Sequence, residues 1–150
     1  MASLALAANA YKPSLEKHFR ANDVVMPPLA DNSTYGNTEQ IRTKHVDLDL
    51  TVDFDARTLS GNATHEMVVV AATSVAQFDI WDLTVNQVSV GTSMDDLSSA
   101  SFTILQPNPA IGSVLQVTIP SGYSVGETVF VVINYVTSPT GQAFSWLNPE

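Results

Sequence analysis

The sequence predicts an all-β protein, an antiparallel β-sandwich or a large twisted sheet with an irregular N-terminal extension. Three observations carry this. The 150 residues include 18 Val, 6 Ile and 14 Thr, and β-branched side chains suit a pleated, half-buried surface better than a helix. Apolar and polar residues alternate with a period of two over long stretches, whereas a helical face needs 3.6. Turn-forming Gly, Pro, Asn and Asp punctuate the chain at short intervals. With 45% hydrophobic residues, a chain of this length can bury a core without disulfide or metal staples.

Residues 1–41 lack a persistent period and read as an extension that wraps or is partly disordered, with a short helix over Ser14 to Arg20. The partial β domain then occupies residues 42–150. From Thr43 to Phe54, Val46, Leu48, Leu50, Val52 and Phe54 alternate with Asp47, Asp49, Thr51 and Asp53, predicting a strand with one face in the core and an acidic face in water. Asp55-Ala56-Arg57 turns the chain. Leu59, Gly61, Ala63, His65, Met67 and Val69 continue the alternation, closing a hairpin over residues 43–70. Further strands are expected at Phe78 to Trp81, Thr84 to Val90, Ser101 to Leu105, Val114 to Ile119 and Thr128 to Tyr135. Between them, Gly91 to Ala100 reads as a polar loop, Gln106 to Pro109 as a stiff connection, and Pro120 to Gly122 with Gly126 as a turn. The tail from Thr137 loses the strand pattern but carries Phe144, Trp146 and Leu147, which need a packing surface.

Charge excludes several functions. The net charge is −9, and no Lys or Arg follows Arg57, so the surface cannot bind phosphates by releasing counterions. Nucleic acid and anionic membranes are therefore not expected partners. No apolar run approaches the roughly 20 residues a membrane helix needs. The apolar start lacks the preceding positive charge of a secretory signal, which makes the cytoplasm the expected compartment. The absence of Cys removes thiolate chemistry and Cys-ligated zinc.

Catalytic motifs are likewise missing. His65-Glu66 begins like His-Glu-x-x-His, but the fifth position is Val69, and a strand sends alternate side chains to opposite faces. His45 and His18 have no second histidine at ligand spacing. Asp47, Asp49 and Asp53 could collect a divalent cation, but strand spacing sets every second residue about 7 Å apart and favours a solvated face. Asp79 and Asp82 flank Trp81, and Asp95-Asp96 forms a pair, without a specified acid/base role. No Gly-x-Ser-x-Gly elbow or phosphate loop is present. Asn32-Ser33-Thr34 and Asn62-Ala63-Thr64 are glycosylation sequons that matter only in a secreted chain.

One resemblance goes further. RTKHVDLDLTVDFDARTLSGNAT (Arg42 to Thr64) resembles the opening hairpin of the zinc aminopeptidase family that includes leukotriene A-4 hydrolase and aminopeptidase N. FDIWDLTVNQVSV resembles that family's Leu-Asp-x-x-Asp-Leu-x-Ile segment, and VFVVINYVTSPTGQAFSWLNPE the strand and loop ending in Trp-Leu-x-Pro. The resemblance implies a saddle-like N-terminal β domain that packs against a thermolysin-like catalytic domain and helps wall its cleft. The parent would remove N-terminal residues from peptide substrates, and epoxide hydrolysis is a further activity of the family. Zinc is expected only in that missing catalytic domain, with no cofactor in this chain and no enzyme activity of its own. Arg42, Leu59, Gly61, Trp146, Leu147 and Pro149 match the pattern and read as turn, core or loop anchors; no catalytic, cofactor-binding or metal residue carries over. Two other expectations accompany this reading. A domain lacking later strands would expose a sheet edge and self-associate. The alternative function is a stand-alone adhesion or carbohydrate-binding module, with Trp81, Tyr123 and Trp146 either as stacking platforms or as core.

Overall fold

Alternation becomes ladder pairing in a computed structural model of the chain, which describes residues 33–120, 122–141 and 144–147. The helix expected over residues 14–20 lies outside the described residues. Eight strands follow in order: β1 (Ile41–Asp53), β2 (Thr58–Val69), β3 (Val75–Ile80), β4 (Leu83–Gly91), β5 (Ser98–Ser99), β6 (Phe102–Asn108), β7 (Gly112–Thr118) and β8 (Thr128–Thr137). All pairings are antiparallel. They form a five-stranded sheet ordered β1-β2-β8-β4-β5 and a three-stranded sheet ordered β3-β7-β6.

The predicted hairpin is present. β1 pairs with β2 from Ile41 opposite Val69 to Asp53 opposite Thr58, with a bulge between Thr43 and His45. Its turn closes because the Ala56 amide donates to Asp53 Oδ1 at 2.8 Å and Arg57 takes a left-handed φ of 56°. Gly61 is required for close approach: an added Cβ would collide with the Asp49 carbonyl of β1, and the φ of +151° is unusual for side chains.

Two connections differ from expectation. The loop over Gly91 to Ala100 ends in the two-residue strand β5, because Ser98 and Ser99 pair with Val90 and Ser89. The segment expected to be a stiff connection at Gln106 to Pro109 mostly continues β6 through Asn108, with an irregularity between Leu105 and Asn108 that accommodates Pro107. Residues ahead of β1 run along β3: Asn37 Nδ2 donates to the Val75 carbonyl and the Gln77 amide donates to Asn37 Oδ1, both at 2.9 Å.

The core lies where the two sheets face each other. Met67, Val69, Val88, Val90, Val129, Val131 and Ile133 line the five-stranded sheet; Ala76, Ile80, Leu115 and Val117 oppose them, and Ile41 and Ile119 close the ends. The expectation for β1 is corrected here. Ile41 is buried, but Leu48 is 62% exposed and Phe54 77%, with Val46 and Val52 also exposed. The pairing register places Val46 beside His65 and Leu48 beside Ala63, on the core-facing side of the sheet. The three-stranded sheet covers β2, β8 and β4 along only part of their length, so Val46, Leu48 and Val52 of β1 stay exposed on the same face whose far end, at Ile41, is buried.

Candidate functional site

The uncovered part of this inner face forms an open groove of about 740 Å³. Its floor comes from alternate residues of four strands: Leu48 and Leu50 of β1, Leu59 of β2, Tyr135 and Thr137 of β8, and Leu83 of β4. Strand alternation puts them on one side, and β8 places its residues there by inserting between β2 and β4. One wall is Trp81, half exposed, with Pro109 and Ala110 from the β6–β7 turn; Phe144 and Gly141 form the other. Asp82 adopts φ 53° at the tight β3–β4 corner, where its carbonyl accepts the Ser138 amide at 3.1 Å.

Chemically the groove is mostly apolar. Thr137 Oγ1 already accepts the Leu59 amide at 2.9 Å, and burial raises the Tyr135 hydroxyl above the ordinary tyrosine pKa of 10.0, leaving it neutral. Asp82 is the single acid in the lining and no base accompanies it.

The histidines and acids singled out in the sequence sit apart. His45 pairs opposite Glu66, and Val46 opposite His65, which sends the two imidazoles to opposite faces. His45 Nε2 contacts Asp47 Oδ1 at 3.1 Å in solvent. His65 packs its ring against Phe78, centroids 4.8 Å apart, with Nδ1 buried and unpartnered, and burial lowers its pKa from 6.5. Asp79 accepts from the Thr34 hydroxyl and, at 2.8 Å, the Tyr35 amide, tying the segment ahead of β1 to β3. Asp96 accepts from the Thr92 hydroxyl at 3.2 Å within its own loop. Among the described residues, no group of three or more His, Cys, Asp or Glu could hold a metal ion.

The aromatic candidates also separate. Tyr123 packs against the core. Trp146 stands edge-on to Phe54 at 6.0 Å and to Phe144 at 5.5 Å, so the tail aromatics find their packing surface at the β1–β2 turn. Leu147 is 91% exposed and anchors nothing among the described residues, while Pro149 lies outside them. Arg42 donates through Nε to the Thr38 carbonyl at 2.8 Å. The sequon residue Asn62 is held mid-sheet, accepting from Asn134 Nδ2 at 2.9 Å, while Asn86 Nδ2 donates to Asn134 Oδ1 at 3.1 Å. The groove itself went unread in the sequence. Its signal was present, since the apolar alternation of β1 and the aromatics of the tail exceed what the core consumes.

No family model matches the chain. It is 33% identical over 124 residues to leukotriene A-4 hydrolase of Xenopus laevis, a match covering 81% of this chain and 19% of that protein. It is 29% identical over 156 residues to leucine aminopeptidase 2 of Neurospora crassa, covering 98% of this chain and 23% of that protein. The fold superposes on yeast leukotriene A-4 hydrolase in complex with bestatin with a TM-score of 0.69 at 27% identity, over 83% of this chain and 19% of that one. An M1 zinc metallopeptidase from Deinococcus radiodurans shares the fold, with a TM-score of 0.52 at 19% identity over 66% of this chain and 21% of that one. The chain thus spans about a fifth of the length of these relatives.

Proposed function

We propose that this chain, an all-β homologue of the leukotriene A-4 hydrolase and M1 aminopeptidase family, is the scaffold and cleft-wall portion of a zinc aminopeptidase. The remainder of such an enzyme, a thermolysin-like catalytic domain, would hold the zinc and remove N-terminal residues from peptides. The observation that carries this reading is the bare groove. Leu48, Leu50, Leu59 and Trp81 expose apolar surface that a folded domain ordinarily covers, and the match to about a fifth of each relative leaves most of the enzyme available to cover it. The groove lining is mostly apolar with one acid, Asp82, and no base, and no metal-holding group occurs among the described residues, which supports a structural contribution.

A complementation assay tests it. The chain alone should bind no stoichiometric zinc and cleave no aminoacyl-nitroanilide. Mixed with a homologous aminopeptidase lacking the matching fifth of its length, it should restore hydrolysis, and Leu48→Asp should abolish that restoration without unfolding the chain. Zinc binding or cleavage by the pure chain, or complementation indifferent to Leu48→Asp, would overturn the proposal.

A further inference from the structure

Two sheets have four edges, and the outer edge of β1 is the longest uninterrupted one. β5 is two residues long and pairs only with Ser89 and Val90, and the rest of β4 carries a register shift between Val85 and Gln87. β6 contains Pro107, which has no amide hydrogen, and an irregularity between Leu105 and Asn108. β3 is bonded along its outer side by the Asn37 side chain, which donates to the Val75 carbonyl and accepts the Gln77 amide. β1 is different. From His45 to Asp53 it pairs without interruption with β2 on one side, and among the described residues no strand lies on the other. Its bulge and its one lysine, Lys44, lie ahead of this stretch, where they cannot blunt it.

The two faces of this edge carry different chemistry. Val46, Leu48 and Val52 project exposed apolar side chains beside the groove, and Asp47, Asp49 and Asp53 project carboxylates to the opposite side. His45 contacts Asp47, but no basic side chain pairs with Asp49 or Asp53 among the described residues. We propose that the edge of β1 docks a separate extended polypeptide segment whose residues alternate between apolar and basic. Its backbone would continue the ladder beside β1, its apolar residues would widen the groove floor, and its Lys or Arg side chains would stand opposite the aspartates.

Charge selects this occupant over a second copy of the chain. An antiparallel two-fold pairing of β1 with itself centred on any residue from Asp47 to Leu50 sets at least one aspartate directly opposite another. A register offset by one residue sets aspartates against leucine and valine. Like charges directly opposite destabilise a strand pair, and each copy carries a net charge of −9.

The test uses the full chain and three labelled nine-residue peptides: one alternating Val or Leu with Lys, one with Glu replacing Lys, and one Lys peptide N-methylated at alternate amides. Fluorescence anisotropy should show saturable binding of the first alone, weakened at least tenfold by Asp47→Asn with Asp49→Asn. Both aspartates are exposed, and circular dichroism would verify that the double variant stays folded. Hydrogen exchange should slow in residues 45–53 on binding. Equal binding of the N-methylated or Glu peptide, or binding without protection of β1, would overturn the proposal. So would a sedimentation-equilibrium dimer that protects the same amides without peptide, since the occupant would then be a second copy.

Discussion

Leu48→Ala separates the pattern of the sequence from the packing of the structure. If the apolar face of β1 lay in the core, truncating Leu48 would cost the 2–5 kcal/mol of a buried leucine, transfer and cavity contributions together. At 62% exposure, little more than a third of the side chain is removed from water. Full burial of a leucine is worth about 1.5–3 kcal/mol, so this fraction corresponds to roughly 0.5–1 kcal/mol, with no enclosed cavity to add. Leu115, 0% exposed between the sheets, provides the internal control, and Leu115→Ala should cost about 2–5 kcal/mol. Urea unfolding followed by tryptophan fluorescence reads both. With a slope of about 1–3 kcal/mol per molar urea, Leu48→Ala should move the midpoint by less than about 1 M and Leu115→Ala by considerably more. A Leu48→Ala shift as large as that of Leu115→Ala would refute the open groove and every argument resting on it. In a complex with the remainder of a homologous aminopeptidase, the same substitution should become costly, because Leu48 would then be covered.

Two further outcomes follow from the fold. Gly61→Ala should destabilise by about 1–3 kcal/mol, because the new Cβ meets the Asp49 carbonyl and must push β1 away from β2; a melting temperature equal to that of the unsubstituted chain would contradict the close approach. Stability should also fall in mild acid through His65. Burial lowers its folded-state pKa below 6.5, so the unfolded chain binds the proton more readily; the stabilisation is complete above pH 6.5 and is lost as pH falls through 6.5 toward the lowered value. Asp79 and Tyr135 share the small cavity beside the ring, so the matched control is His65→Gln, which should flatten the midpoint-against-pH curve below pH 6.5. An unchanged slope in His65→Gln would assign the acid sensitivity elsewhere.

Much of the fold was legible in the chain. A period of two fixes which residues share a face, so the hairpin from β1 to β2 and the centres of β4, β7 and β8 could be read directly, and turn residues marked their ends. The family resemblance was legible too, because the Arg42 to Thr64 hairpin and the Trp146-Leu147 tail keep their order. The irregular pieces were less so. β5 exists only because β4 offers it an edge, and β6 runs through Pro107 because an outer strand tolerates a residue without an amide hydrogen.

Alternation alone establishes that Val46, Leu48, Leu50 and Val52 lie on one side of a strand and the aspartates on the other. What covers either side depends on pairings remote in sequence: β8 inserts between β2 and β4, and the three-stranded sheet settles over Met67, Val131 and Ile133 but stops short of β1. The same placement buries His65 against Phe78 and leaves His45 in water, although both belong to one hairpin. Local sequence thus determined the strands, their faces and their charge. Only the tertiary structure decided which apolar face became core and which became an exposed groove, because burial is a property of the opposing surface as well as of the strand that presents it.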